Sequence, residues 1–189
     1  MQPLLLSAGL VALAEMGDKT QLLSLVLAAR LRKPWPICAG VLVATLLNHG
    51  LAGAVGYWLS EWIPRQALLG ITGLSFIGFG LWALQPDTSS GAPKLHQAGV
   101  FVTTVIAFFF AEMGDKTQLA TVALAARFQA PVQVILGTTL GMLSADVPAI
   151  WLGDRLAQHV PMKPIRIAAA VLFVAIGALT LLGLMGNAP

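Results

Sequence analysis

Charge is scarce in this 189-residue sequence: Asp, Glu, Lys and Arg make up 10% of it, against 57% hydrophobic residues. A soluble domain carries about 25% charged and about 45–50% apolar residues, so the apolar excess here is outer surface that faces lipid rather than a larger core. Mean hydropathy is +0.82. Cysteine is nearly absent: Cys38 stands alone, which excludes an internal disulfide and leaves no thiolate pair for Cu(I) or a Zn–Cys site. The net charge of +3, from 11 basic and 8 acidic residues, reports orientation in such a chain and gives no ground for nucleic-acid binding. Met1 to Ala14 is apolar and ends Ala12-Leu13-Ala14, as a secretory signal would, but it has no Lys or Arg. That segment is expected to be mature protein.

What is present is hydrophobic length. A spanning helix needs roughly 20 mostly apolar residues, and the stretches between charge and proline clusters predict spans at about 4–30, 35–59, 66–85, 98–127, 132–156 and 165–186. The breaks hold turn chemistry, including Arg30-Leu-Arg-Lys-Pro34, Glu61-Trp-Ile-Pro-Arg65 and Pro161-Met-Lys-Pro164. Trp35, Trp58, Trp62, Trp82 and Trp151 fall near the expected ends, where an aromatic belt places them.

The chain repeats itself at an offset of 97 residues: Glu15-Met-Gly-Asp-Lys-Thr-Gln21 returns letter for letter as Glu112-Met-Gly-Asp-Lys-Thr-Gln118. The same shift pairs Ala28-Ala-Arg30 with Ala125-Ala-Arg127, Gly40 with Gly137, Gly56 with Gly153, Phe76 with Phe173 and Gly80 with Gly177. Hydrophobic composition alone does not generate a seven-residue identity containing three charges. The expected organisation is therefore a first three-helix repeat over 1–85, a cytoplasmic linker at 86–97 and a second repeat over 98–189. Three spans per copy make the second copy enter the membrane from the opposite side, the inverted-repeat plan of many secondary transporters. The fold class is all-α, an integral membrane protein of six helices. With both termini outside, the inner loops collect Arg30, Arg32, Lys33, Lys94, Arg155, Lys163 and Arg166, and the outer side keeps only Arg65 and Arg127. Both termini are thus expected on the non-cytoplasmic face.

Seven charges remain inside the expected spans: Glu15, Asp18, Lys19, Glu112, Asp115, Lys116 and Asp146. Each costs about 2.5–3.5 kcal/mol at a helix centre, so a function must keep them there. On a continuous helix Glu15, Asp18 and Lys19 share one face, and Glu15 could neutralise Lys19 as Glu112 could Lys116. Two such pairs leave three carboxylates over. A pocket of five acids and two ammoniums must take up protons or cations, and taking them in alternation is antiport.

Carboxylates with Thr20, Gln21, Asn48, Thr117 and Gln118 as neutral oxygen donors suit Ca²⁺, Mg²⁺ or Mn²⁺. Lys19 and Lys116 cannot ligate metal when protonated; they are expected to hold carboxylates and set the pocket charge. A helix break at Gly17 or Gly114 would free backbone carbonyls as further ligands. His49, at the repeat position of Asp146, is a candidate proton carrier or nitrogen ligand. Met16 and Met113 are candidates for selecting Mn²⁺ over Ca²⁺, provided such a break turns them toward the site, since each lies about 100° from its glutamate on an intact helix. Pro148 is expected to kink the fifth span. Gly70, Gly73, Gly78, Gly80, Gly177 and Gly183 are expected packing residues.

The doubled Glu-Met-Gly-Asp-Lys-Thr resembles the signature of the Gdt-type cation exchangers, and the resemblance covers the whole chain. It implies transport of Mn²⁺, Ca²⁺ or both against protons, with Glu15, Asp18, Glu112 and Asp115 at the cation site. The family's bacterial manganese-exporting branch is the nearest in pattern, which implies the bacterial cytoplasmic (inner) membrane; the extended acidic central loop of larger members is lacking. The expected function is export of a divalent cation, Mn²⁺ before Ca²⁺, in exchange for protons. Calcium/proton exchange, sodium coupling and, less favoured, a divalent cation channel are the alternatives. An intramembrane hydrolase is disfavoured because no nucleophile–base pair, His-Glu zinc arrangement or internal Arg clamp is present. Expected partners are the metal ion, protons and lipid, with no nucleic acid and no resident cofactor; self-association is left open.

Overall fold

In the computed structural model, which describes residues 1–85, 99–152 and 162–186, every regular element is a helix. Eight occur in order: α1 (Gln2–Glu15), α2 (Lys19–Leu31), α3 (Pro34–Trp62), α4 (Arg65–Ala83), α5 (Val100–Glu112), α6 (Lys116–Phe128), α7 (Pro131–Leu152) and α8 (Met162–Gly186). The expected linker at 86–97, and Gly153 and Arg155 beyond α7, lie outside the described residues. Three helices, α3, α4 and α7, are long and apolar enough to cross a membrane, while α1 and α5 are shorter apolar helices. Leu42, Leu46, Leu47, Leu51 and Val55 of α3 all stand exposed, a face with no partner among the described residues that lipid would cover.

The first and fourth expected spans are not continuous, and that corrects the shared-face argument. Each stops at its glutamate and restarts at its lysine, with three residues between. Gly17 (φ +80°) and Gly114 (φ +76°) occupy the left-handed region, where a side chain costs roughly 1–2 kcal/mol. Met16 and Met113 before them are extended, as are Asp18 and Asp115, the N-cap residues of α2 and α6. Asp favours such positions because its short side chain competes for local backbone donors. The sequence Met-Gly-Asp is therefore a helix break written twice. The far ends also match: α2 closes on Arg32 and α6 on Gln129, 97 residues apart, both left-handed.

The helices of the two halves interleave. α1 packs on α7 and α5 on α3; α4 packs on α8. Small residues set these approaches: a Cβ at Gly40 would lie 2.7 Å from the Thr104 Cβ, and one at Gly137 would collide with the Leu4 carbonyl oxygen and meet the Ser7 Cβ at 3.0 Å. Ser7 and Thr104 are repeat-equivalent, as are Gly40 and Gly137. Gly73, Gly80 and Gly177 are in similarly close contact between α4 and α8. Gly78 and Gly183, by contrast, face open space, so the packing role expected of them does not hold. Some residues touch their own repeat partners: Phe76 and Phe173 rings lie 6.1 Å apart, and Thr45 donates to the Met142 sulfur at 3.0 Å. α7 continues through Pro148 without losing its helix.

Candidate metal centre

The two breaks meet in the interior. α1 and α5 end there on Glu15 and Glu112, and α2 and α6 begin there on Asp18 and Asp115; all four carboxylates are buried to within 2%. Helix C-terminal carbonyls and N-terminal amides thus converge on one volume, so each break contributes both dipole ends. Ligand oxygens of Glu15, Glu112 and Asp115 all come within 4.8 Å of one another. Three acids at that spacing, drawn from both repeats, are a cation-sized cluster.

Each glutamate is held by the threonine five residues on. Thr20 donates to Glu15, and Thr117 donates to Glu112 at 2.6 Å and more weakly to Asp115 at 3.3 Å. The glutamines pin the breaks: Gln21 Oε1 accepts from the Gly17 amide at 2.8 Å, and Gln118 Oε1 from the Gly114 amide at 2.6 Å. Their amide nitrogens reach across to the other repeat. Gln118 donates to Asn48 Oδ1 at 3.3 Å; the position equivalent to Asn48 is Ala145, and there Gln21 takes the backbone carbonyl at 3.1 Å. After these bonds one oxygen of each glutamate, Glu15 Oε1 and Glu112 Oε2, has no hydrogen-bond partner although buried. Orphaned carboxylate oxygens aimed into a polar interior are costly unless a cation or proton fills the gap.

The lysine ion pairs cross from one motif to the other. Lys19 bridges to Asp115 at 3.0 Å and Lys116 to Asp18 at 2.8 Å. The expected Glu15–Lys19 and Glu112–Lys116 pairs required an unbroken helix, and the glycine breaks remove the i,i+4 geometry they needed. The cross-pairs tie the repeats together instead. They are unequal: the Lys19 side chain is 25% exposed and that of Lys116 only 4%.

His49 and Asp146, equivalent in the repeats, take different partners. His49 Nε2 lies 3.4 Å from Glu112 Oε1, whereas Asp146 accepts from Ser24 at 2.9 Å and keeps its second oxygen unpartnered. Asp146 is buried near the cluster without belonging to the three that close to 4.8 Å. Asn48 donates to the Phe109 carbonyl at 3.1 Å. Met16 is partly buried and Met113 is 52% exposed. Ser24 went unread in the sequence, although it sits one turn beyond Gln21 on the face that α7 covers.

The chain has counterparts among known proteins. Residues 3–91 and 100–188 each match the family model described as "Divalent cation/proton antiporter GDT1". The chain belongs to that family. Each match contains one of the two broken helices. The chain is 46% identical over 175 residues to the "Putative manganese exporter" of Vibrio cholerae, covering 92% of this chain and 88% of that protein. It is 28% identical over 215 residues to GDT1-like protein 5 of Arabidopsis thaliana, covering 93% of each. It is also 28% identical over 188 residues to GDT1-like protein sll0615 of Synechocystis, covering 87% of this chain and 89% of that protein. No solved structure matches the chain. Membership makes it a membrane transporter whose substrates are a divalent cation and protons.

Proposed function

We propose that this chain exports Mn²⁺ from the bacterial cytoplasm in exchange for protons, using one site built from both repeats. The observation that carries the reading is the cluster of Glu15, Glu112 and Asp115, with unpartnered oxygens on both glutamates. At 4.8 Å two ionised carboxylates repel by about 3 kcal/mol at an effective dielectric of about 20. Three of them stay together only with a cation between them or with protons on some of them, and exchange of one for the other is antiport. Asp18 and Asp146 complete the acidic set, with Thr20, Gln21, Asn48, Thr117 and Gln118 as its polar frame. Lys19 holds Asp115 when the cation is absent and gives it up when the cation arrives.

Six spans in inverted halves fit the contacts. Each broken pair, α1 with α2 and α5 with α6, makes one interrupted span. Such a path puts the start of α3 and the end of α7 on one side, and Trp35 and Trp151 stack edge-to-face at 5.3 Å. It puts the end of α6 near the C-terminal part of α8 on the other, and Arg127 donates to Thr180. Phe76 against Phe173, and Thr45 against Met142, are what a two-fold axis between the repeats requires. Inward proton flow across a bacterial inner membrane then drives metal outward, with both termini non-cytoplasmic. The preference for Mn²⁺ rests on the Vibrio relative's name and on His49 beside Glu112, since Mn²⁺ accepts a nitrogen donor more readily than Ca²⁺. Met16 is better placed than the half-exposed Met113 to add to it.

Metal uptake into inverted vesicles, with competing Ca²⁺ and lumenal pH recorded, tests the reading. Manganese uptake that releases lumenal protons is the expected result. Uptake with no proton movement, or a site that takes Ca²⁺ and ignores Mn²⁺, would refute it.

A further inference from the structure

Away from the acidic centre, the first turn of α4 and the last turn of α6 enclose a cavity of about 440 Å³ lined chiefly by Arg65, Leu68, Leu69, Arg127, Phe128 and Gln129. No carboxylate lines it among the described residues. Arg65 and Arg127 are also the two basic residues that the expected topology leaves on the outer face, against seven inside. Guanidiniums that depart from the orientation bias and then converge on one cavity call for a reason.

We propose that this cavity binds the anionic headgroup of a phospholipid, its phosphate held between Arg65 and Arg127. Three features prepare it. Arg127 is fixed before any ligand arrives: it donates to Thr180 of α8, and its guanidinium carbon lies 5.4 Å from the centre of the Phe128 ring. A guanidinium held by one bond keeps further donors in its planar fork for phosphate oxygens. Arg65 is exposed and opens α4, whose N-cap is Pro64 with no side-chain cap, so the first amides of that helix also point outward to an anion. Leu68, Leu69 and Phe128 supply the apolar wall along which the glycerol and upper acyl segments lie. A net charge of +2 with no acid among the described lining residues selects a headgroup of net negative charge, such as phosphatidylglycerol. Phosphatidylcholine presents the same phosphate with a cation that two arginines repel. The lipid would join α4 of the first repeat to α6 of the second at the rim.

The test uses the full-length chain in phosphatidylcholine nanodiscs or mild detergent, with bound lipid counted by native mass spectrometry and thermal unfolding followed as phosphatidylglycerol is added. Wild type should retain one phosphatidylglycerol through mild delipidation and gain in unfolding temperature. R65Q/R127Q should bind it about tenfold or more weakly, and R65K/R127K should recover part of the affinity. Removing two charges elsewhere, in R30Q/R32Q, should leave that one retained lipid in place. If folded R65Q/R127Q holds the lipid as wild type does, or if R30Q/R32Q loses it equally, the cavity is not the site. Inorganic phosphate at matching concentration should give no shift; an equal shift would replace the lipid by a free anion and overturn the proposal. Every readout is binding or unfolding, so the result stands whichever metal the central site carries.

Discussion

Lys116→Met should destabilise the metal-free protein far more than Lys19→Met, although the two lysines occupy identical positions in identical motifs. The Lys116 ammonium sits 2.8 Å from Asp18 with both side chains buried, at 4% and 0% exposure. Removing one member of such a pair strands the other charge in low dielectric, at a cost of about 3–5 kcal/mol. Lys19 reaches Asp115 at 3.0 Å but is itself 25% exposed, so water can take the place of the lost ammonium beside the buried Asp115 carboxylate and the loss should cost about 1 kcal/mol. The difference, about 2–4 kcal/mol, is readable as a shift in the denaturant midpoint of detergent-solubilised protein, followed by tryptophan fluorescence without metal. A double-mutant cycle names the partner. Lys116→Met with Asp18→Asn should show a coupling of about 2–3 kcal/mol, and Lys116→Met with Glu112→Gln a smaller one. Equal losses for the two lysines, or a larger coupling of Lys116 to Glu112, would refute the cross-paired arrangement and return the motifs to intrahelical pairing.

Metal affinity should weaken as pH falls from 8 to 6, because protons and the cation compete for the same clustered carboxylate oxygens; an isothermal titration flat across that range would remove proton competition. Lys19→Gln should bind metal several-fold more tightly yet transport more slowly, since Asp115 loses the cation that competes with the metal for it; weaker binding would count against a displacement role for Lys19. Gly56→Ala should cost about 1–3 kcal/mol, because the new methyl collides with the Val122 carbonyl of α6. Gly78→Ala, facing open space, should be neutral or stabilising by up to about 1 kcal/mol; thermal unfolding of both variants compares them directly.

Much of the candidate site was legible because charge inside an apolar chain has few explanations. Glu15, Asp18, Glu112, Asp115 and Asp146 stand out by their cost alone, and the offset of 97 residues pairs Glu15 with Glu112 and Asp18 with Asp115. The helix breaks were half legible. Gly17 and Gly114 allowed a break, but a mid-helix glycine serves close packing as readily, and only their left-handed φ values decide between the two. The lysine partners were not legible, because i,i+4 logic presumes a continuous helix and pairing across repeats depends on tertiary approach. Nor could periodicity separate glycines at contacts, such as Gly73, from those facing open space, such as Gly78. Ser24 was missed for a related reason: a hydroxyl in a span has many bland uses until the carboxylate it serves is seen on another helix.

The same seven residues sit in two unequal surroundings, and that inequality bears on mechanism. Around the first motif Gly17 is buried and Lys19 partly open; around the second Gly114 is exposed and Lys116 closed. Local sequence cannot cause the difference, because the motifs are identical from Glu15 to Gln21 and from Glu112 to Gln118. It must come from how the halves pack, including the points where the repeats diverge, such as His49 against Asp146 and Asn48 against Ala145. If the halves exchanged arrangements, the first motif would take the surroundings of the second and the local contacts of both would be conserved. Two states that keep the same short-range interactions differ little in energy, which is the condition for a bistable element that a bound cation or proton can bias. The duplication would then supply more than ligands for one site: it would supply a second arrangement of the motif contacts, with residues at which the repeats differ, such as His49 against Asp146, setting which of the two the empty transporter prefers.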